Sequence, residues 1–242
     1  MSHYKNAPIV EAIIDLRVQL QPNIDLAALE RVRINEEGTY PRKNKTITAT
    51  GEMEVGVRVS ASATSEETGF RFLSDDGKRI WQSRRDGFTF SQLAPYDCWQ
   101  SFRDEACRLW NRYRETVQPS DIQRLAVRYI NRFDIPGRTI DLKQYFLTSP
   151  EVSASLPQDL AGFFLQLQLP MDDIRSKALI NETIVPPARD GVVSVVLDID
   201  LIRHLCVPQD ETAIWQAFEE LRSRKNEVFE ACITDEARRL IN

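Results

Sequence analysis

The chain matches itself at a fixed spacing, and this recurrence constrains its fold more than any other feature. Ile24-Asp25-Leu26 returns as Ile140-Asp141-Leu142, and Trp99-Gln100-Ser101-Phe102 returns as Trp215-Gln216-Ala217-Phe218; both pairs lie 116 residues apart. Arg85-Asp86-Gly87 and Arg189-Asp190-Gly191 fall between them at a spacing of 104, so the second copy is 12 residues shorter before its Asp-Gly turn and 12 longer after it. Loop insertions and deletions account for that shift without disturbing the frame. The expectation is an α+β fold made by internal duplication. Residues 1–117 form a β-α-β4-α unit and residues 118–242 a β-α-β3-α unit, packed as one integrated structure. The join near Gln118-Pro119-Ser120 is too short for a free linker.

The local patterns repeat in the same order. Ile9 to Leu20 alternates as a strand, and Pro22-Asn23 ends it. Asp25 is placed to cap a short helix reaching about Arg33. Met53 to Ala63 reads as one strand, because Val55, Val57 and Val59 alternate with polar residues. Gly69–Leu73, Arg79–Arg84 and Phe88–Leu93 follow as strands, joined at Asp75-Asp76-Gly77 and Asp86-Gly87, where glycine readily takes positive φ. A helix is expected from Asp97 to Val117, with Trp99, Phe102, Ala106, Leu109, Trp110, Tyr113 and Val117 on its apolar stripe. In the second half, Leu125–Ile135 is a strand and Asp141 with Gln144 opens a short helix. Leu160–Phe163 reads as a further helical turn. Phe164–Leu169, Ala178–Val185 and Val192–Leu201 read as strands. Asp210 opens a long helix carrying Ile214, Trp215, Phe218, Leu221 and Val228, and Thr234–Ile241 a terminal one. An antiparallel curved sheet covered by long helices resembles the TATA-box-binding-protein-like saddle or the helix-grip fold. A likeness at that level carries no function.

Bulk properties bound the function class. A composition with 42% hydrophobic and 28% charged residues is that of a globular chain. No apolar run reaches bilayer length and no basic-then-apolar leader opens the chain, so a cytoplasmic protein is expected. The net charge of −5 disfavours nonspecific binding to nucleic acid. Cys98, Cys107, Cys206 and Cys232 form no C-x-x-C pair and read as reduced thiols, three of them at apolar positions. His3 and His204 are the only histidines, too few for a histidine-rich metal site or a Ser-His or Cys-His nucleophile system. Phosphate-loop, dinucleotide, nucleophile-elbow and kinase motifs are all missing, so no cofactor is implied.

The strand around Arg128 is the most unusual segment. Arg124, Arg128 and Arg132 share one parity with Ala126 and Ile130, while Leu125, Val127, Tyr129, Asn131 and Phe133 point the other way. At the repeat spacing Arg128 and Arg132 fall on Ala12 and Leu16, so one copy is basic where the other is apolar. Either the arginines pair with acids such as Glu11 or Asp15, or the face is simply solvated, or they bind an anionic ligand through their planar forks. Lesser candidates are Glu182 on a strand, Asp172-Asp173 in a turn, and Asp198 and Asp200 on a half-exposed strand. Arg84-Arg85, Glu36-Glu37 and Glu66-Glu67 read as solvated surface.

Four strings resemble, in combination, a family of uncharacterised, sporadically distributed bacterial proteins of about this length. They are Ala7-Pro8-Ile9-Val10-Glu11-Ala12, Asp76-Gly77 with its meander, Leu93-Ala94-Pro95-Tyr96 followed by Trp99 and Phe102, and Arg124 to Arg132. The resemblance spans nearly the whole chain. It implies a bacterial source and assigns no residue a role. The leading expectation is a non-enzymatic binding module that recognises a protein partner or an anionic small molecule through Arg124, Arg128 and Arg132. The alternatives are a nucleic-acid binder of saddle-like fold and an enzyme acting on a phosphorylated or carboxylated small molecule. Sheet edges and Trp-bearing helices are compatible with a homodimer.

Overall fold

The computed structural model describes residues 4–22, 24–55, 59–205 and 210–242. Nine strands and four helices follow in the order β1 (Ile9–Gln19), α1 (Leu26–Arg31), β2 (Arg42–Val55), β3 (Val59–Leu73), β4 (Arg79–Arg84), β5 (Gly87–Leu93), α2 (Trp99–Val117), β6 (Asp121–Pro136), β7 (Phe164–Met171), β8 (Ser176–Val185), β9 (Val192–His204), α3 (Glu211–Cys232) and α4 (Asp235–Leu240). Hydrogen bonding orders the strands as β2-β3-β4-β5-β1-β6-β9-β8-β7. The pairs β2–β3, β3–β4, β6–β9, β9–β8 and β8–β7 are antiparallel. In each half the first strand lies beside the last: β1 beside β5, and β6 beside β9. Among the described residues, no helix is long and apolar enough to cross a membrane.

Two compact units divide the chain. The first comprises Met1–Ile14, Gln92–Cys98 and Arg124–Asn242; the second comprises Asp15–Ser91 and Trp99–Gln123. In the second unit, α2 buries all seven residues of the expected stripe. Phe90 stacks on Phe102 with ring centroids 5.3 Å apart, and Phe88 meets Trp110 edge-on at 5.8 Å. In the first unit, α3 covers the face of β6 that carries Tyr129 and Phe133. Phe229 stacks on Phe133 at 6.3 Å, and the Lys225 ammonium lies 3.7 Å from the centre of the Tyr129 ring. Asp210 and Thr234 cap α3 and α4 through bonds from the Ala213 and Ala237 amides. The Asp141 carboxylate likewise accepts from the Lys143 amide at a single 3-10 turn, Leu142–Gln144.

Several expectations are corrected. Met53 to Ala63 is not one strand. Its two ends belong to β2 and β3, which pair antiparallel with Val55 opposite Val59, while residues 56–58 lie outside the described residues. Neither proline nor an Asn-Gly pair marks that reversal, so alternation alone runs straight through it. β2 also begins at Arg42, in a stretch too polar to advertise a strand. Leu160–Phe163 is not helical; a four-residue segment containing Gly162 forms too few helical bonds to offset nucleation. Asp25 precedes α1 without a side-chain capping bond. Trp215 is half-buried, whereas its neighbours Ile214 and Phe218 are fully buried. Cys98 is exposed, Cys107 intermediate and Cys232 buried; Cys206 and His3 lie outside the described residues.

Candidate functional site

The alternation of β6 divides its side chains as the sequence predicts. Leu125, Val127, Tyr129, Asn131, Phe133 and Ile135 are buried, while Arg124, Arg128 and Arg132 are half-exposed on the opposite face, which carries no helix among the described residues. Strand register adds the neighbours. Arg128 lies opposite Asp200, Ile130 opposite Asp198, and Asp198 opposite Asn181, which in turn lies opposite Gln166. These residues therefore share one face across four strands.

They form a connected network. The Arg128 guanidinium donates two parallel bonds to Asp198, Nε to Oδ1 at 2.8 Å and Nη2 to Oδ2 at 2.7 Å. The Asn181 amide donates to the same carboxylate at 3.0 Å, and the Gln166 amide donates to Asn181 Oδ1 at 2.8 Å. Asp198 is 5% exposed, which overturns its reading as a half-exposed residue: the arginine fork covers it. The pair raises the Arg128 pKa chiefly through the hydrogen bonds Arg128 donates to Asp198, with the charges of Asp198, Asp200 and Glu11 adding to it. Of the two acids expected to answer the arginines, Glu11 contributes only this electrostatic effect on Arg128. Asp15 is held elsewhere, by Arg84 and Thr89.

Arg132 is equally engaged. It donates to Asp134 at 3.0 Å, to Ser194 Oγ at 2.9 Å and to the Pro186 carbonyl at 3.0 Å. Ser194 donates to Asp134 in turn. Burial works to raise the Asp134 carboxyl, but the bonds from Ser194 and Arg132 outweigh it and hold the group below its usual range. The bonds of Arg128 and Arg132 thus go to acids, serine and backbone of this chain. The face carries Glu11, Asp134, Asp198 and Asp200 against three arginines and Lys177, so it is not a basic stripe.

The covered side of the same strands holds the buried Glu182 and Lys225. Glu182 shares parity with Ala178 and Ile180 on β8 and is 0% exposed. The Thr148 hydroxyl lies 3.4 Å from one carboxylate oxygen, while the other has no hydrogen-bond partner among the described residues. Burial pushes the carboxyl up to about 7. Lys225 is 7% exposed, and burial, aided by the nearby Arg222 charge, brings its ammonium down to about 7. Cys232 is also near Thr148, and burial raises its thiol to about 11, so it stays protonated. The Glu182 position was legible as an acid set among apolar residues of one strand face. Lys225 gave a similar signal, four residues after Leu221 and three before Val228.

Two clefts of about 610 and 620 Å³ open in the first unit. The residues lining the first include Arg138, Lys143, Glu151 and Asp159, and those lining the second include Arg175, Arg203 and Glu220. Neither is lined by Arg124, Arg128, Arg132, Glu182 or Lys225.

In the second unit, three groups read as solvated are structural. Arg84 bridges Asp15 at 3.0 Å and Asp86 at 2.9 Å. Arg85 donates to the Ile24 carbonyl at 3.1 Å. Glu36 is 3% exposed and held by Arg108 and Arg112. Asp172 and Asp173 do lie in a turn, where Asp173 pairs with Arg224. No protein-family model matches this chain, and no curated protein matches it.

Proposed function

We propose that this chain is a non-enzymatic binding module that recognises a protein partner through the helix-free face of β6, β9, β8 and β7. The supporting observation is the Arg128–Asp198–Asn181–Gln166 network, a polar surface whose side chains are held in place before any partner arrives. Pre-ordered side chains lose less freedom on binding, and their remaining donors and acceptors suit a polar interface. A protein partner is favoured over a small anion. An anion would have to displace carboxylates from Arg128 and Arg132, whereas a protein surface can lie over the pairs as they stand.

The nucleic-acid reading lacks a basic stripe on this face. The enzyme reading finds neither of the two large clefts at the arginines. The pattern of strings shared with sporadically distributed bacterial proteins adds a bacterial source to the proposal and no residue role. Internal duplication belongs to the same proposal. It is supported by the equivalent strand placement in the two halves and by the matched aromatic pairs, Trp99–Phe102 at 6.1 Å and Trp215–Phe218 at 5.2 Å.

The test compares the wild type with an R128Q/D198N/R132Q variant, which removes the forks without stranding the buried acid. Tagged protein is recovered from cells of the source organism and analysed for bound proteins and small molecules. A protein recovered by the wild type and lost by an equally heat-stable variant supports the proposal. Recovery by both, or of a small anion alone, counts against it.

A further inference from the structure

We propose that two copies of this chain pair edge to edge through β7, antiparallel and about a twofold axis at Leu167. β7 ends the strand order, so one of its edges has no neighbouring strand. Among the described residues, no backbone hydrogen bond outside the β7–β8 ladder reaches Phe164–Met171. An unpaired edge presents N–H and C=O groups to any extended chain, and proteins commonly guard such edges with charge. The strand at the other end of the order, β2, is guarded in this way: Arg42, Lys43 and Lys45 open it. β7 reads Phe-Leu-Gln-Leu-Gln-Leu-Pro-Met and has no charge at all. Phe164 is 68% exposed and Leu169 39%. Leu147, 65% exposed, adjoins Thr148, which reaches Glu182, the register partner of Leu165.

The sequence of the strand selects the occupant. Leu165 to Leu169 reads the same in both directions, Leu-Gln-Leu-Gln-Leu. Opposite residues of an antiparallel pair share a face. A twofold at Leu167 therefore sets Leu165 against the partner's Leu169 on the face that carries Glu182 and Ile180. Gln166 then meets the partner's Gln168 on the face that carries Asn181. Apolar meets apolar, amide meets amide, and no charges oppose one another. Two β2 strands brought together the same way would set cation near cation. A β2-to-β7 contact would be head-to-tail and would not close, whereas the β7 pair closes as a dimer.

The experiment is sedimentation equilibrium of the full chain over a concentration series, with circular dichroism to verify folding. The wild type is expected to form a dimer, L165K/L169K a monomer, and L165K/L169E a dimer again, because the twofold sets each lysine against a glutamate. A monomeric wild type at every concentration overturns the proposal, as does a dimer that survives L165K/L169K or a charge-swapped variant that stays monomeric. If the leucine variants fail to fold, Q166K/Q168K and Q166K/Q168E repeat the comparison on the exposed face and are read in the same way.

Discussion

At the scale of single residues, the polar side chains defied local reading because their partners are remote in sequence. Arg128 and Asp198 are 70 positions apart, and Arg108 and Glu36 are 72. The parity of β6 was legible, since alternation is a property of neighbours. Which acid answers each arginine was not, since that depends on register between distant strands. The pairing has a measurable consequence. Arg128→Ala leaves Asp198 in a buried setting with only Asn181 for support. The expected loss is about 1–3 kcal/mol in urea denaturation, toward the lower end because the guanidinium keeps part of its water. R128Q/D198N should recover most of that loss, since replacing both members removes the stranded charge. A single variant as stable as the wild type would show that water satisfies Asp198 unaided.

At the scale of elements, amphipathic periodicity carried most of the information. Every residue of the α2 stripe is buried, because a helix on a sheet must turn its apolar side inward whatever the details. Among the misread segments, tertiary pairing decides the antiparallel β2–β3 pair, and the stretch before β7 is too short to nucleate a helix. The Asp86-Gly87 turn was foreseen, but its tightness was not. Gly87 has φ +155°, and a Cβ added there would lie 2.1 Å from the Leu16 carbonyl oxygen. Gly87→Ala must therefore shift the backbone of β1 or β5. The expected loss is about 1–3 kcal/mol, the range for strained backbone positions, read as a lowered midpoint in thermal unfolding. Gly38, with open space around it, is the matched control, and Gly38→Ala should leave the midpoint nearly unchanged.

At the scale of the whole molecule, β1 lies beside β5 and β6 beside β9 in the strand order. Glu182 and Lys225 give the chain a particular response to pH. The Glu182 carboxyl is raised from 4.5 to about 7, so between those values the folded state holds a proton that the unfolded state has lost, and stability falls as pH rises. The Lys225 ammonium is lowered from 10.5 to about 7, so above 7 the unfolded state holds the extra proton and stability rises with pH. Together they predict a minimum in stability near neutrality, the reverse of the usual profile. Glu182→Gln should flatten the descending limb, and Lys225→Met the ascending one. The methionine variant should gain about 1–4 kcal/mol at pH 6, as apolar replacements of buried charges often do. Chemical denaturation from pH 4 to 10 checks all three curves, and parallel curves for wild type and variants would refute the assignment.

The matched arginines and aspartates of the helix-free face have a kinetic corollary. Arg128 and Arg132, neutralised at close range, project little field into the solvent, so these two cations do not draw in a distant molecule. Encounters with that surface should proceed at the unsteered rate, about 10⁵–10⁶ M⁻¹s⁻¹, and should hardly change with added sodium chloride. Selectivity would then lie in how long a complex survives, set by the fit of shape and hydrogen bonds, and not in how quickly it forms.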